Sequence, residues 1–277
     1  LSRVIEVGEK VVSYKKGDFV LRSMLADTPQ YYSGWGSFAE RGTVSDYKAM
    51  VNDNLPDVFT GHMAQQVVPQ EFDPESAMML ITFKEVYSGL MRFGIEEGMS
   101  VMVNGCGPVG LSMVRFLRLL GVGTLIASDL DPARLRKAAD MGADVVINPA
   151  EEDVEAVVKS KVEEGLDLFI DAVGVNKLMN LGLKLVKFNG KVAVYGIAPT
   201  LNANIDWAEA PYNWDIHFVP WPTFEEEASY HDQIVEYVRS GQIKLEDFVT
   251  HVMPLEDFQK GIDMIKAKEG LKISLTI

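Results

Sequence analysis

The chain of 277 residues holds a single cysteine and only four histidines. One thiol rules out an internal disulfide framework and a multi-cysteine zinc knot, and the expected setting is a reducing, cytoplasmic one. His62, His217, His231 and His251 stand apart from one another and from other donors, so spacing suggests no metal cluster. No apolar run approaches the length that crosses a bilayer, and the first residues show no charged leader followed by an apolar stretch. Neither a membrane span nor a targeting segment is expected. Basic residues are scarce as well: 26 Lys and Arg stand against 40 Asp and Glu, for a formal charge of −14. They form no stripe that could follow a phosphate backbone, which argues against nucleic acid as a partner.

What is present is a rhythm. From about Met99, short apolar runs (Val101–Asn104, Thr124–Asp129, Asp144–Asn148, Leu166–Ala172, Lys191–Tyr195) alternate with helical stretches, the pattern of an α/β fold built on a doubly wound parallel sheet. A sixth run, Trp214–Pro220, is placed to close that sheet at an edge. Before Met99, Val4–Val7, Phe19–Leu21 and Gly36–Val44 read as short strands of a β-rich domain. After Val219 the pattern predicts a helix over Glu225–Arg239, a strand near Phe248–Met253, a helix over Pro254–Lys268 and a closing strand over Leu271–Ile277.

The most specific motif opens the alternating half. Ser100 to Asn104 leads into Gly105-x-Gly107-x-x-Gly110, with Pro108 and Val109 between the last two glycines, and an amphipathic helix follows from Leu111. Glycines between a strand and a helix are the dinucleotide fingerprint: Gly105 allows the tight turn, Gly107 leaves room for a pyrophosphate, and Gly110 lets helix and sheet approach. Asp129 ends the next strand, where a carboxylate accepts from both ribose hydroxyls and repels a 2′-phosphate, so NAD is expected rather than NADP. Arg134, one turn into the helix begun by Asp131-Pro132, is placed to lie along the same ribose. Cys106 reads as a small loop residue, not a nucleophile.

In these residues the chain resembles the medium-chain dehydrogenase/reductase superfamily in its zinc-type alcohol and polyol (sorbitol/threonine dehydrogenase-like) branch. Further matching stretches are Ile5-Glu6-Val7-Gly8, Lys16-Gly17-Asp18-Phe19-Val20, Gly36–Glu40, Met141–Asp144, Asp171-Ala172-Val173-Gly174, Tyr195-Gly196-Ile197 and Thr250–Leu255. The resemblance implies a Rossmann domain inserted in a β-rich GroES-like catalytic domain, with the active site in the cleft between them. It divides the chain into a partial GroES-like domain over 1–82, an NAD-binding domain over 83–219 and a return to the catalytic domain over 220–277. Against the family pattern, Leu1 falls just after the place expected for a Gly-His-Glu segment, so about one fifth of the expected catalytic domain is missing from the N-terminal side of this sequence. In zinc-dependent members that part supplies a cysteine and a histidine to the metal, and the third ligand falls at Leu80 or Ile81, both apolar here. The four-cysteine structural zinc loop has no counterpart between Val20 and Gly36. No bound catalytic or structural zinc is therefore expected in this chain; His62, despite its Gly61-His62-Met63 setting, reads as a loop residue.

The resemblance also sets Lys84 and Glu85 beside the nicotinamide ring, as a pair able to move a proton in place of a metal, with Glu85 the nearer member. The alternative is a helix whose charges face water. Val173, Tyr195 and Gly196, at strand ends, resemble backbone positions that hold the carboxamide, and Lys272 matches a basic position that reaches the pyrophosphate. Tyr31, Tyr32, Trp35, Trp207, Tyr212 and Trp214 are candidates for a substrate cleft, or simply for core or interface. Three functions follow: an NAD-dependent dehydrogenase of a secondary alcohol or polyol; a metal-free reductase of activated C=C or C=O bonds; or a non-catalytic NAD-binding protein. Small alcohols or carbonyls are the expected partners, and a homodimer through Trp214–Val219, or a homotetramer, is the expected assembly.

Overall fold

The computed structural model describes residues 1–25, 30, 38–200 and 202–277. It divides into two units, one of Leu1–Glu85 with Thr223–Ile277 and one of Val86–Pro222.

In the first unit, β1 (Ser2–Arg3), β2 (Phe19–Val20) and β3 (Val67–Val68) form a short antiparallel sheet in that order. Helix α1 (Tyr47–Asn52) is capped by the Asp46 carboxylate and α2 (Pro74–Ala77) by Asp73, each accepting first-turn N–H groups. Helix α3 (Met79–Phe93) runs across the division between the units. The expected strand over Val4–Val7 is not formed; pairing is confined to Ser2–Arg3, and Ile5 and Val7 are exposed. Of the expected Gly36–Val44 strand, Gly36 and Ser37 lie outside the described residues, and the rest contributes a single bridge between Thr43 and Met24. Val4 still exchanges backbone hydrogen bonds of 2.8 Å with Asp18 and Gly17, but Ile5, Glu6 and Val7 are exposed and continue no such ladder, and a strand needs a partner and a covered face.

The second unit is the alternating one. Strands β4 (Ser100–Asn104), β5 (Thr124–Ser128), β6 (Val145–Ile147), β7 (Leu166–Asp171), β8 (Val186–Val194) and β9 (Trp214–Phe218) are all parallel and lie in the order β6-β5-β4-β7-β8-β9. Between them run α4 (Pro108–Leu119), α5 (Pro132–Asp140), α6 (Val154–Lys161) and α7 (Lys177–Leu185). Parallel strands covered on both faces carry apolar side chains throughout, and every residue of β4 is buried. Phe169, Met102, Ile126 and Val192 centre the core, and Phe169 lies so close to α7 that a Cβ on Gly182 would fall 2.6 Å from its ring. Strand β9 takes the edge, as its run predicts, and it is the least buried of the six.

The chain then returns to the first unit. The expected helix over Glu225–Arg239 is broken in two: α8 (Phe224–Ser229), started by a Thr223/Glu226 capping box, and α9 (His231–Arg239), with Tyr230 between them. Strand β10 (His251–Pro254), α10 (Phe258–Lys266) and β11 (Ile273–Thr276) follow, and β10 and β11 pair in parallel. Among the described residues no helix is long and apolar enough to cross a membrane.

Candidate functional site

The strand order reverses direction between β4 and β7, and in open α/β sheets ligands bind beyond the strand ends at such a point. The sequence motif sits there. Gly105, at φ +100, makes the turn out of β4, and a Cβ added to it would stand 2.5 Å from Cγ2 of Val173 on the loop after β7. The loops that carry Gly105 and Val173 therefore touch. A Cβ on Gly110 would fall 1.7 Å from the Gly105 carbonyl oxygen, which is how closely α4 approaches the strand it follows. At Gly107 an added Cβ would meet nothing, so the open space in front of the loop begins at this residue. Gly107 is also the N-cap of α4 and offers no side-chain oxygen, and Pro108 has no N–H to satisfy, so the first-turn N–H groups of Val109 and Gly110 are left without a side-chain cap on the side of that space. An open cradle at a helix N-terminus fits a dinucleotide pyrophosphate.

Asp129 is fixed before any ligand arrives. Its Oδ2 accepts from the Cys106 N–H at 2.7 Å and its Oδ1 from the Asp131 N–H at 2.9 Å, tying the end of β5 to the glycine loop. Each carboxylate oxygen keeps a further lone pair for a hydroxyl. Arg134 Nε lies 3.8 Å from Asp131, half-buried on the first turn of α5. Cys106 is buried, and burial followed by the charge of Asp129 pushes its thiol up to about 12, so it is inert as a nucleophile.

The ends of β7 and β8 are joined by one residue that sequence reasoning passed over. Asp171 Oδ1 accepts from the N–H groups of Val173 at 2.8 Å and Gly174 at 3.0 Å. Its carbonyl accepts from those of Tyr195 and Gly196 at 3.0 and 2.9 Å. Burial raises its carboxyl above the usual carboxylate range against the pull of those N–H groups. The two loops cross so closely that a Cβ on Gly196 would lie 2.1 Å from the Gly174 nitrogen. Val173 is left half exposed beside this crossing, and the Tyr195 ring packs on Gly89.

Lys84, Glu85 and Lys272 belong to the first unit, and there they meet. The pair on α3 does not face water. Lys84 is wholly buried; its Nζ donates to Gln66 Oε1 at 2.7 Å and to the Ala64 carbonyl at 3.4 Å, and lies 3.5 Å from Glu227 Oε1. Glu85 is paired with Arg22 Nη2, and Arg22 Nε donates to Glu227 Oε1 at 2.8 Å. Burial raises the Glu85 carboxyl to about 7, opposed by Arg22 and assisted by the charge of Glu227. Burial likewise lowers the Lys84 ammonium to about 8 and holds Lys272, which faces Glu85, below its ordinary value.

Arg22 and Glu227 were invisible as a pair because 205 residues separate them. One signal existed: Glu227 and His231 fall at helical spacing with Phe224, Ile234 and Val235, so a carboxylate and an imidazole interrupt an apolar stripe.

His62 sits in a short 3-10 turn, its Nδ1 3.1 Å from Gln65 Oε1. Leu80 and Ile81, the positions where the resemblance puts a third zinc ligand, are apolar, Leu80 fully and Ile81 partly buried, and among the described residues no three His, Cys, Asp or Glu side chains gather to hold a metal. The described donor set does not fit a tetrahedral zinc. Tyr31, Tyr32 and Trp35 lie outside the described residues, while Trp207 and Tyr212 are exposed on the second unit.

Comparison with known proteins agrees with this geometry. Residues 108–215 match the family model described as zinc-binding dehydrogenase. An erythritol/L-threitol dehydrogenase of Mycolicibacterium smegmatis is 31% identical over 185 residues, which cover 64% of this chain and 48% of that protein. An L-threonine 3-dehydrogenase of Stenotrophomonas maltophilia is 26% identical over 235 residues, covering 85% of this chain and 65% of that protein. The chain thus spans between about half and two thirds of these curated relatives. Among solved structures, an alcohol dehydrogenase from Thermus sp. ATN1 is 26% identical with a TM-score of 0.76, covering 99% of this chain and 83% of that one. The 2R,3R-butanediol dehydrogenase of Bacillus subtilis, 20% identical with a TM-score of 0.76 over 99% of this chain and 78% of its own, shares the fold. The glycine loop, the strand order and these relatives agree: the chain is similar to alcohol and polyol dehydrogenases, and its residues 108–215 match the zinc-binding dehydrogenase model.

Proposed function

We propose that the chain belongs to an NAD(H)-dependent oxidoreductase that moves a hydride between the cofactor and a secondary alcohol or polyol, or its ketone. The observation that carries this reading is Asp129, a carboxylate pre-set by two backbone N–H groups beside an open glycine cradle. Gly107 and the first turn of α4 would take the pyrophosphate, Asp129 the adenosine ribose with Arg134 alongside, and Val173, Tyr195 and Gly196 the carboxamide. Lys272 is assigned the basic position that reaches the pyrophosphate. Bound NAD supplies the hydride acceptor; the chain's own task is to hold the ring and to take the hydroxyl proton. Glu85 is assigned that proton, because a carboxyl that titrates near neutrality serves as base for oxidation and acid for reduction. Lys84, buried against Gln66, the Ala64 carbonyl and Glu227, acts on Glu85 through its charge. The apolar Leu80 and Ile81, where a third zinc ligand would stand, support as a second reading a metal-free reductase of activated C=C or C=O bonds.

The cofactor reading is tested by titrating NADH and NADPH against the chain and an Asp129→Ser variant, following nucleotide fluorescence. Loss of charge-assisted hydrogen bonds weakens NADH about tenfold or more, with little loss for NADPH. Tighter binding of NADPH than NADH by the parent chain would overturn it.

We also propose a homodimer, with β9 of one copy added edge to edge to β9 of the other about a two-fold axis. The support is an edge strand flanked by exposed Phe188, Tyr212 and Phe218, which is a pairing hazard if left bare. Light scattering at micromolar concentration should give a dimer mass, and an Ile216→Lys variant a monomer. A parent chain that runs as the 30.7 kDa monomer would remove the proposal. The single buried thiol, Cys106, supports a cytoplasmic location.

A further inference from the structure

The first unit buries more charge than a helix packing contact requires. Arg22 and Lys84 supply two cations, Glu85 and Glu227 two carboxylates, and the side chains of Lys84 and Glu227 are both 0% exposed. Burying such a set costs several kcal/mol per ion before any pairing returns it, so stability alone is a weak reason for its presence. The connections are also asymmetric. Arg22 gives one edge of its guanidinium to each carboxylate, Nε to Glu227 and Nη2 to Glu85. Glu227 further faces the Lys84 ammonium with the same oxygen, while its Oε2 is buried without a hydrogen-bond partner among the described residues. Glu227 therefore draws on both cations, and Glu85 has a share of one.

The backbone supports the same arrangement. Arg22 adopts φ +55, the left-handed region that a non-glycine residue enters at a cost, and its carbonyl accepts from Gln65 Nε2 at 2.9 Å. On α9, His231 donates Nε2–H to the Val67 carbonyl at 3.0 Å, and burial together with the Lys84 charge lowers its pKa to about 4, so it stands neutral beside the cluster. Lys272, ahead of β11, is the remaining charge that acts on Glu85. Among the described residues, the charges that act on Glu85 are those of Arg22 after β2, Glu227 on α8, Lys272 ahead of β11 and Lys84 on its own helix, with Gln66 and the neutral His231 beside Lys84.

We propose that Glu227 is a positioning residue for Glu85: by holding the Nε edge of Arg22 and facing Lys84, it limits Glu85 to one guanidinium edge and so governs whether Glu85 keeps its proton. This deepens the assignment of Glu85 as the proton-handling group and rests on that reading for its role in turnover, but the electrostatic claim stands without turnover. The sign follows from the geometry. Removing the Glu227 charge takes a like charge away from Glu85 and releases Arg22 to it, and both changes favour the ionised form. Removing the Lys84 charge does the reverse, since Glu227 must then draw wholly on Arg22.

The test is a pH titration of the Glu85 carboxyl by carbon-13 NMR, assigned with a Glu85→Gln variant. In Glu227→Gln the midpoint should fall by about one pH unit or more, a tenfold change in proton affinity; in Glu227→Asp it should return toward the parent; in Lys84→Met it should rise. A midpoint that stays put or rises in Glu227→Gln overturns the proposal. If that variant does not fold, a midpoint in Lys84→Met that fails to rise overturns it instead. The pH profile of kcat/KM separates the two readings. Opposite NMR shifts without any matching displacement of the profile would refute Glu85 as the proton-handling group and leave the role of Glu227 standing.

Discussion

Replacing Gly110 by alanine is expected to abolish measurable NADH binding and to lower stability. Its Cβ would fall 1.7 Å from the Gly105 carbonyl oxygen, an atom of backbone that cannot rotate away. Either α4 moves off β4 or the glycine loop opens, and overpacking of this kind costs about 1–3 kcal/mol, occasionally more. A shift of about 1 Å at a positioning loop is enough to cost on the order of a hundredfold in function. Gly107→Ala provides the contrast. Its Cβ meets no protein atom, so the fold should be unaffected while NADH weakens, because the side chain enters the space assigned to the pyrophosphate. Urea denaturation and nucleotide fluorescence distinguish the two variants. A Gly107→Ala chain that binds NADH as tightly as the parent would show that the cofactor does not use this cradle.

The second large effect is expected at Arg22. Arg22→Met takes the shared guanidinium from Glu85 and Glu227, leaving Lys84 beside Glu227 and Lys272 acting on Glu85, and removing one partner of a buried pair costs about 3–5 kcal/mol. Arg22→Lys keeps the charge but not the two-edged fork, so only part of the loss should return. The pH dependence carries a sign as well. The Glu85 carboxyl is raised from 4.5 to about 7, so the native state holds a proton that the unfolded chain gives up, and stability falls as pH rises through that window. The Lys84 ammonium is lowered from 10.5 to about 8, so the unfolded chain holds the extra proton above that point, and stability rises again toward pH 10.5. His231, lowered from 6.5 to about 4, contributes a rise that offsets the Glu85 fall below about pH 6.5, so the parent chain should show a shallow minimum of stability between about pH 7 and 8 and a clear rise above it. In Arg22→Met the falling limb should extend above pH 7, since the opposing cation is gone. Denaturation midpoints that are flat from pH 5 to 9 in the parent would show that these groups are not buried as charges.

The alternating half of the chain was legible because its signals are local. A buried parallel strand needs only a run of Val, Ile, Leu or Met, and Pro108, Asp131 and Asp153 mark helix starts whatever lies around them. The glycine loop carries its own geometry in its letters. The other half was harder to read. Val4–Val7 has strand-forming residues, but its pairing with the Gly17–Asp18 backbone stops at Val4, and the periodicity of Glu225–Arg239 continues through Tyr230 although the backbone does not. Propensity describes a residue's preference, while pairing and helix continuity depend on what packs against it.

The same division holds for the site. Gly105, Gly107, Gly110 and Asp129 were identifiable because a turn, a close approach and a strand-end carboxylate are each requirements on one residue at one place. Lys84 and Glu85 were visible as letters, but whether they faced water or the interior was not, since a charged pair on a helix has the same spacing in either case. Tertiary structure decided it by bringing Arg22 and Glu227 against them across 205 residues of chain. Asp171 shows the point in small: its place at the end of β7 follows from the apolar run, but its hold on the loops of Val173 and Tyr195 exists only once β8 lies beside it. Local backbone requirements can be written into adjacent residues. The balance of buried charge cannot, because it is a sum over side chains that only folding makes neighbours.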